Sequence, residues 1–199
     1  MHFMSGSATS LRELKKVETT RRITLCAQRL TDERGLDGFT MDELAAAAEV
    51  SRRTLFNYFP SKADAVLGAH PDLPEEALAT FRARGPHGEV VDDVAELARI
   101  AVAAQDPDRE SLELALRVLR AEPRLLAAAH ERFEAVTDEF AALLVEREGP
   151  AFGSEKARLL LRLLLVLLDS ALIVLVDEGP DRSLVDVFDE QLALARELF

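Results

Sequence analysis

The chain has 199 residues, 48% of them hydrophobic, and a formal net charge of -12. That apolar content suffices for a buried core and two small domains. A single cysteine, Cys26, excludes an internal disulfide and fits a reducing cytoplasm, and the N-terminus lacks the long apolar core of a signal peptide.

Residues 1–10 are small and polar and predict a disordered tail. Residues 11–34 predict a helix ended by Gly35. Its apolar series is Ile23, Cys26, Ala27 and Leu30, which makes Cys26 a small buried hydrophobe rather than a redox sensor. Arg12, Lys15 and Lys16 suit either an arm reaching toward nucleic acid or a solvated helix start. Arg21 and Arg22 are better phosphate candidates, because they lie where the ordered helix begins.

Residues 40–62 read T-M-D-E-L-A-A-A-A-E-V-S-R-R-T-L-F-N-Y-F-P-S-K. Thr40 with Glu43 three residues later is a capping box, and Phe39 with Leu44 can close a hydrophobic staple. Met41, Leu44, Ala45 and Ala48 form one apolar stripe. Ser51 caps a second helix that carries Leu55 and Phe59 on one face and Arg53 and Asn57 on another. Pro60 ends that helix, and Ser61 caps a third beginning at Lys62. A short helix, a tight turn and a second helix bearing Arg, Asn and Tyr predict a helix-turn-helix. Arg can pair with guanine and Asn with adenine. Tyr, Thr, Ser and Lys hold phosphates, and the start of the helix at Lys62 offers backbone N–H groups to another. A helical hairpin with a solvated basic face is the plainer alternative.

The charge is unevenly spread. Residues 1–62 hold ten Lys/Arg and eight Asp/Glu, whereas residues 63–199 hold fourteen and twenty-eight. A local positive field at one end is what a DNA-facing domain needs, and the acidic remainder would help orient it.

The linking helix from residue 62 is interrupted by Pro71 and Pro74 and resumes over 75–84, with a loop at 84–88. Helices follow at about 89–105, 107–121 and 123–148. Asp106–Pro107 suits an N-cap and first turn, and Pro123 opens the long helix carrying Phe133 and Phe140. Residues 159–176 are apolar nearly all round and borderline in length for a membrane span. Arg162 and Asp169 would each cost roughly 2.5–3.5 kcal/mol near a bilayer centre. Burial inside the domain and against a second subunit suits this helix better. Helix 183–199 has Leu184, Val187, Phe188, Gln191, Leu192, Ala195 and Leu198 at helical spacing. Helices of about 155–177 and 183–199 from two subunits would form a four-helix homodimer interface.

The run A-A-A-A-E-V-S-R-R-T-L-F-N-Y-F-P-S-K resembles the DNA-binding signature of TetR-type regulators, roughly A-x-x-A-G-V-S-x-x-T-[LF]-[YF]-x-[HY]-F-x-[SN]-K, over about Arg21 to Leu67. The resemblance implies an all-α fold of about nine helices. Residues 1–62 would be the arm and three-helix DNA-binding domain, and 63–199 the ligand-binding and dimerisation domain. It implies a cytoplasmic, homodimeric repressor on a palindromic operator, with recognition helices about one DNA turn apart, released by a small molecule. Thr40, Ser51 and Lys62 would meet phosphates. Arg52, Arg53, Thr54 and Asn57 would face the major groove, and Tyr58 would touch phosphate or a base. Glu49 stands where the family usually has glycine, and Phe56 where it often has tyrosine.

An apolar ligand pocket is expected among helices 89–148 and 155–177. Arg117, Arg120, His130, Phe133, Asp169 and Ser170 are its candidates, although Arg117, Arg120 and His130 better suit a solvated face and Asp169 and Ser170 better suit polar contacts across a dimer. Residues 117–132 loosely resemble the TetR subgroup that includes mycofactocin-system regulators, some of which respond to acyl-CoA. The histidines (His2, His70, His87, His130) lack metal-ligand spacing, and there is no phosphate-binding glycine loop or nucleophile elbow. Neither an enzyme, a metal nor a cofactor is implied. Two alternatives are a ligand-binding module with a vestigial helix-turn-helix and a non-specific architectural DNA binder.

Overall fold

A computed structural model describes residues 6–69, 72–104, 109–178 and 182–198, with the side chains of 6–13, 109 and 178 left aside. Ten helices follow one another: α1 Gly6–Arg34, α2 Met41–Ala47, α3 Arg52–Tyr58, α4 Lys62–Leu67, α5 Glu75–Arg82, α6 Val90–Ala103, α7 Arg109–Ala121, α8 Pro123–Glu148, α9 Ser154–Glu178 and α10 Leu184–Glu197. No strand occurs among the described residues. α1 starts at Gly6, inside the stretch expected to be disordered. No proline interrupts residues 6–34, and each added residue extends the helix by one hydrogen bond. The expected Asp106–Pro107 cap and the Pro71 interruption lie outside the described residues.

The chain divides into two compact units. The first comprises residues 1–70 and 110–129, the second 71–109 and 130–199. The core of the first is Ile23, Ala27, Leu36, Phe39, Leu44, Ala45, Ala48, Leu55, Phe59, Ala65 and Val66, completed by Leu114, Val118 and Leu125 from α7 and the start of α8. Cys26 borders this core half-buried, its Sγ donating to the Ala47 carbonyl at 3.4 Å, and burial pushes its thiol pKa up. α1 is anchored on α4 by Gln28, which is buried and donates to the Val66 carbonyl at 3.0 Å. Gly35 ends α1 with φ 72, the left-handed conformation expected of a helix-terminating glycine. Gly38 has no room for a side chain, since a Cβ there would lie 2.1 Å from the Arg34 carbonyl oxygen.

The second unit packs Phe81, Val94, Ala95, Leu97, Ala141, Leu144, Ala157, Leu161, Leu164, Ala171, Val187, Phe188 and Leu192 into one core. α9 pairs most extensively with α10. Arg147 and Asp93 form a fully buried ion pair in this core. The Asp93 carboxylate also accepts from the His87 backbone N–H at 2.7 Å, and the Arg147 guanidinium lies 4.5 Å from the centre of the Phe81 ring. Nothing in the local sequence marks these two charges as buried. α9 is long and apolar enough to cross a membrane, with only 22% of that stretch buried. Its Arg158 and Arg162, however, reach Asp138 and Glu134 of α8, each at 2.8 Å, and its Ala157, Leu161, Leu164 and Ala171 are core residues.

Candidate nucleic-acid interface

α2, α3 and α4 are seven, seven and six residues long, too short to persist without capping and packing. All three begin at a side-chain cap. Thr40 Oγ1 accepts from the Glu43 N–H at 3.2 Å, and Glu43 Oε2 accepts from the Thr40 N–H at 2.8 Å. The Thr40 hydroxyl and backbone N–H together hold the Glu43 carboxyl below its ordinary pKa. Ser51 Oγ accepts from the Thr54 N–H at 3.0 Å, and Ser61 Oγ from the Asp64 N–H at 3.1 Å. On the inner side, Leu44, Leu55 and Ala48 are wholly buried and Phe59 nearly so. The core face of each helix is therefore fixed, and its opposite face must point outward.

The turn between α2 and α3 is closed by the Glu49 N–H donating to Ala46 at 3.1 Å and the Val50 N–H donating to Ala45 at 2.9 Å. Glu49 has φ 51, a left-handed conformation that costs an L-residue with a Cβ about 1–2 kcal/mol. The turn keeps the left-handed geometry that glycine usually serves, and Glu49 bears the strain.

On the outer face of α3, Arg52, Arg53, Phe56 and Asn57 are exposed, and Thr54 and Tyr58 are half-buried. Arg53 and Asn57 stand one turn apart and make no hydrogen bond or ion pair with a described residue. Arg52 differs. Its Nη1 donates to Asp42 Oδ2 of α2 at 2.9 Å, and its guanidinium lies 5.5 Å from the centre of the Phe56 ring. Tyr58 packs against the core. Lys62 is half-buried, donates to the Phe39 carbonyl at 2.9 Å and sits 5.0 Å from the Phe39 ring, so it ties α4 to the start of α2. Thr40 and Ser51 use their hydroxyls within the caps. Arg21 and Arg22 are exposed on α1.

Three side chains from the 110–129 segment hold the corner between α1 and α2. Arg117 makes a two-point pair with Asp32 at 2.9 and 3.0 Å, and Arg124 a second with Asp37 at 3.2 and 2.8 Å. Glu122 Oε1 accepts from the Leu36 N–H at 3.0 Å. The side-chain hydrogen bonds from Arg117 and Arg124 depress the Asp32 and Asp37 pKa values. Asp32, Asp37, Asp42, Glu122 and Arg124 carry no motif in the sequence, and only the fold reveals their partners. The residues expected to line a ligand pocket are dispersed in their roles. Arg117 is engaged by Asp32, and Arg120, His130 and Asp169 are exposed. Phe133 is half-buried, and Ser170 meets Gln191 of α10 at 2.9 Å.

A family model for bacterial regulatory proteins of the tetR family matches residues 23–67, from Ile23 in α1 to Leu67, where α4 ends. The chain is 30% identical over 146 residues to the HTH-type transcriptional regulator TcmR of Streptomyces glaucescens. Over residues 23–67 the chain is similar to the TetR family. The match to TcmR covers 70% of this chain and 64% of that relative's length. A solved structure of a Mesorhizobium loti MAFF303099 protein assigned to the TetR family is 19% identical, covering 90% of this chain and 97% of that one at a TM-score of 0.44. Against the TetR pattern, the Glu49 departure leaves the turn intact. Phe56 lies outward with 43% of its surface exposed, a hydroxyl-free ring on α3.

Proposed function

We propose that this chain is a TetR-type transcriptional regulator that reads a specific DNA sequence with α3. One observation carries the proposal: Arg53 and Asn57 stand one turn apart, without a partner among the described residues, on the outer face of a helix whose inner side, Leu55 and Phe59, is locked in a core. Guanidinium and carboxamide groups so displayed suit guanine and adenine edges, each good pair contributing about 1–3 kcal/mol of discrimination. Fluorescence anisotropy on duplexes flanking the protein's own gene tests this. Tight binding to one segment, lost in an Arg53→Ala, Asn57→Ala variant, is expected. Equal, salt-sensitive binding to every duplex would favour an architectural DNA binder instead.

The regulator works as a homodimer in this reading. Leu159, Leu163, Val166 and Ile173 are exposed on α9 at offsets of four, seven and fourteen residues, the spacing of a helix-packing seam, and Leu194 and Leu198 are exposed on α10. A run of exposed apolar side chains along one helix suits an interface with another chain. Sedimentation of a Leu163→Glu, Val166→Glu variant should give a monomer that binds a palindromic operator poorly. A variant that stays dimeric would rule out this face. Repression in the cytoplasm, relieved by a small apolar ligand, completes the reading. A reporter gene behind the operator tests the repression.

A further inference from the structure

Of the exposed acidic residues of the helix-turn-helix, Asp42, Glu43 and Glu49, the first pairs with an arginine of α3. Asp42 is 60% exposed at its side chain and sits on α2, ten residues before the recognition-helix arginine it touches. A carboxylate there repels phosphates, so Asp42 weakens non-specific attraction. It also holds Arg52 on one side by a 2.9 Å hydrogen bond, while the Phe56 ring lies 5.5 Å from the guanidinium. Arg52 is therefore both partly neutralised and held in one orientation. An arginine already paired with a carboxylate is a weaker phosphate ligand than a free one. Its remaining N–H donors still form a planar fork, which suits the paired acceptors of a guanine edge. The neighbouring Arg53 has no such restraint.

We infer that Asp42 is a positioning residue that acts through Arg52, directing this arginine to a base and away from the phosphate backbone, so that it sets sequence preference at one base pair of each half-site. This rests on the DNA-reading function proposed above. The test is selection from a random-sequence duplex library by the full-length wild type and by D42A, D42N, R52A and D42A/R52A, each checked by circular dichroism. D42A and R52A should lose preference at the same base pair, and the double variant should lose nothing more, because the two residues act as one unit. D42N should keep the preference, since its amide oxygen still accepts from Arg52. On a scrambled duplex, D42A should bind more tightly, with a log–log salt slope steeper by about one, as the freed cation takes a phosphate. A D42A motif identical to the wild type, or one altered where R52A is not, would overturn the inference and leave the regulator reading standing. A wild type that enriches no sequence would overturn both.

Discussion

The helix-turn-helix and the long helices of the second unit are stabilised by different means. α2, α3 and α4 run for six or seven residues, and a hydroxyl caps each one. α8 and α9 run for 26 and 25 residues, and interhelix packing and charge pairs such as Arg162–Glu134 hold them. Caps at the start of a short helix satisfy a large share of its backbone donors, whereas in a long helix the same contribution is diluted over many turns. The surfaces differ in the same sense. The first unit leaves Arg53 and Asn57 open, and α9 leaves Leu159, Leu163 and Val166 open. One surface is polar and the other apolar. Local signals therefore specify the helix-turn-helix, and global packing specifies the long helices.

The largest effect that bears on this contrast is expected from Asp93→Ala. It would leave the buried Arg147 guanidinium with only the Glu148 carboxylate, 3.3 Å from its Nε, at up to about 3–5 kcal/mol. Chemical denaturation followed by circular dichroism should show the loss. Tyr58, the one tyrosine in a chain without tryptophan, reports on the first unit by its fluorescence. A Tyr58 transition that moves by the same amount would mean that the units unfold together, which would break the comparison.

Thr40→Ala should cost about 1 kcal/mol and Ser183→Ala less, although both residues cap a helix. α2 has seven residues and α10 fourteen, so equal losses would contradict the argument about length. Glu49→Gly should stabilise the protein by a few tenths to about 1 kcal/mol. It removes left-handed strain, partly offset by the greater freedom of an unfolded glycine. A lower melting temperature would show that the Glu49 side chain contributes more than its strain costs.

The smallest effect should come from acid. Asp32, Asp37 and Glu43 all belong to the first unit, and hydrogen bonds from Arg117, Arg124 and Thr40 depress their pKa values. A depressed folded-state pKa means that the stability is present at neutral pH. It is lost as pH falls below the ordinary carboxylate range and through the folded values. These groups are exposed, so the shift should be modest. Tyr58-monitored unfolding at pH 7 and pH 3 measures it, and Arg124→Ala should reduce the difference.

The sequence by itself determined the short helices, their caps, the faces of Leu44, Leu55, Phe59, Arg53 and Asn57, and the TetR resemblance. All of these depend on residues within a turn or two of each other, where spacing and capping chemistry act directly. Only the tertiary structure decided that Asp42 holds Arg52, that Arg117 and Arg124 clamp residues 85 and 87 positions away, and that Asp93 and Arg147 share a dry core. It also decided which leucines of α9 are inside, because a helix apolar on nearly every side has no periodicity from which to read a face. Charge pairs between distant segments leave no spacing in the chain. They exist only once the backbone has brought their helices together.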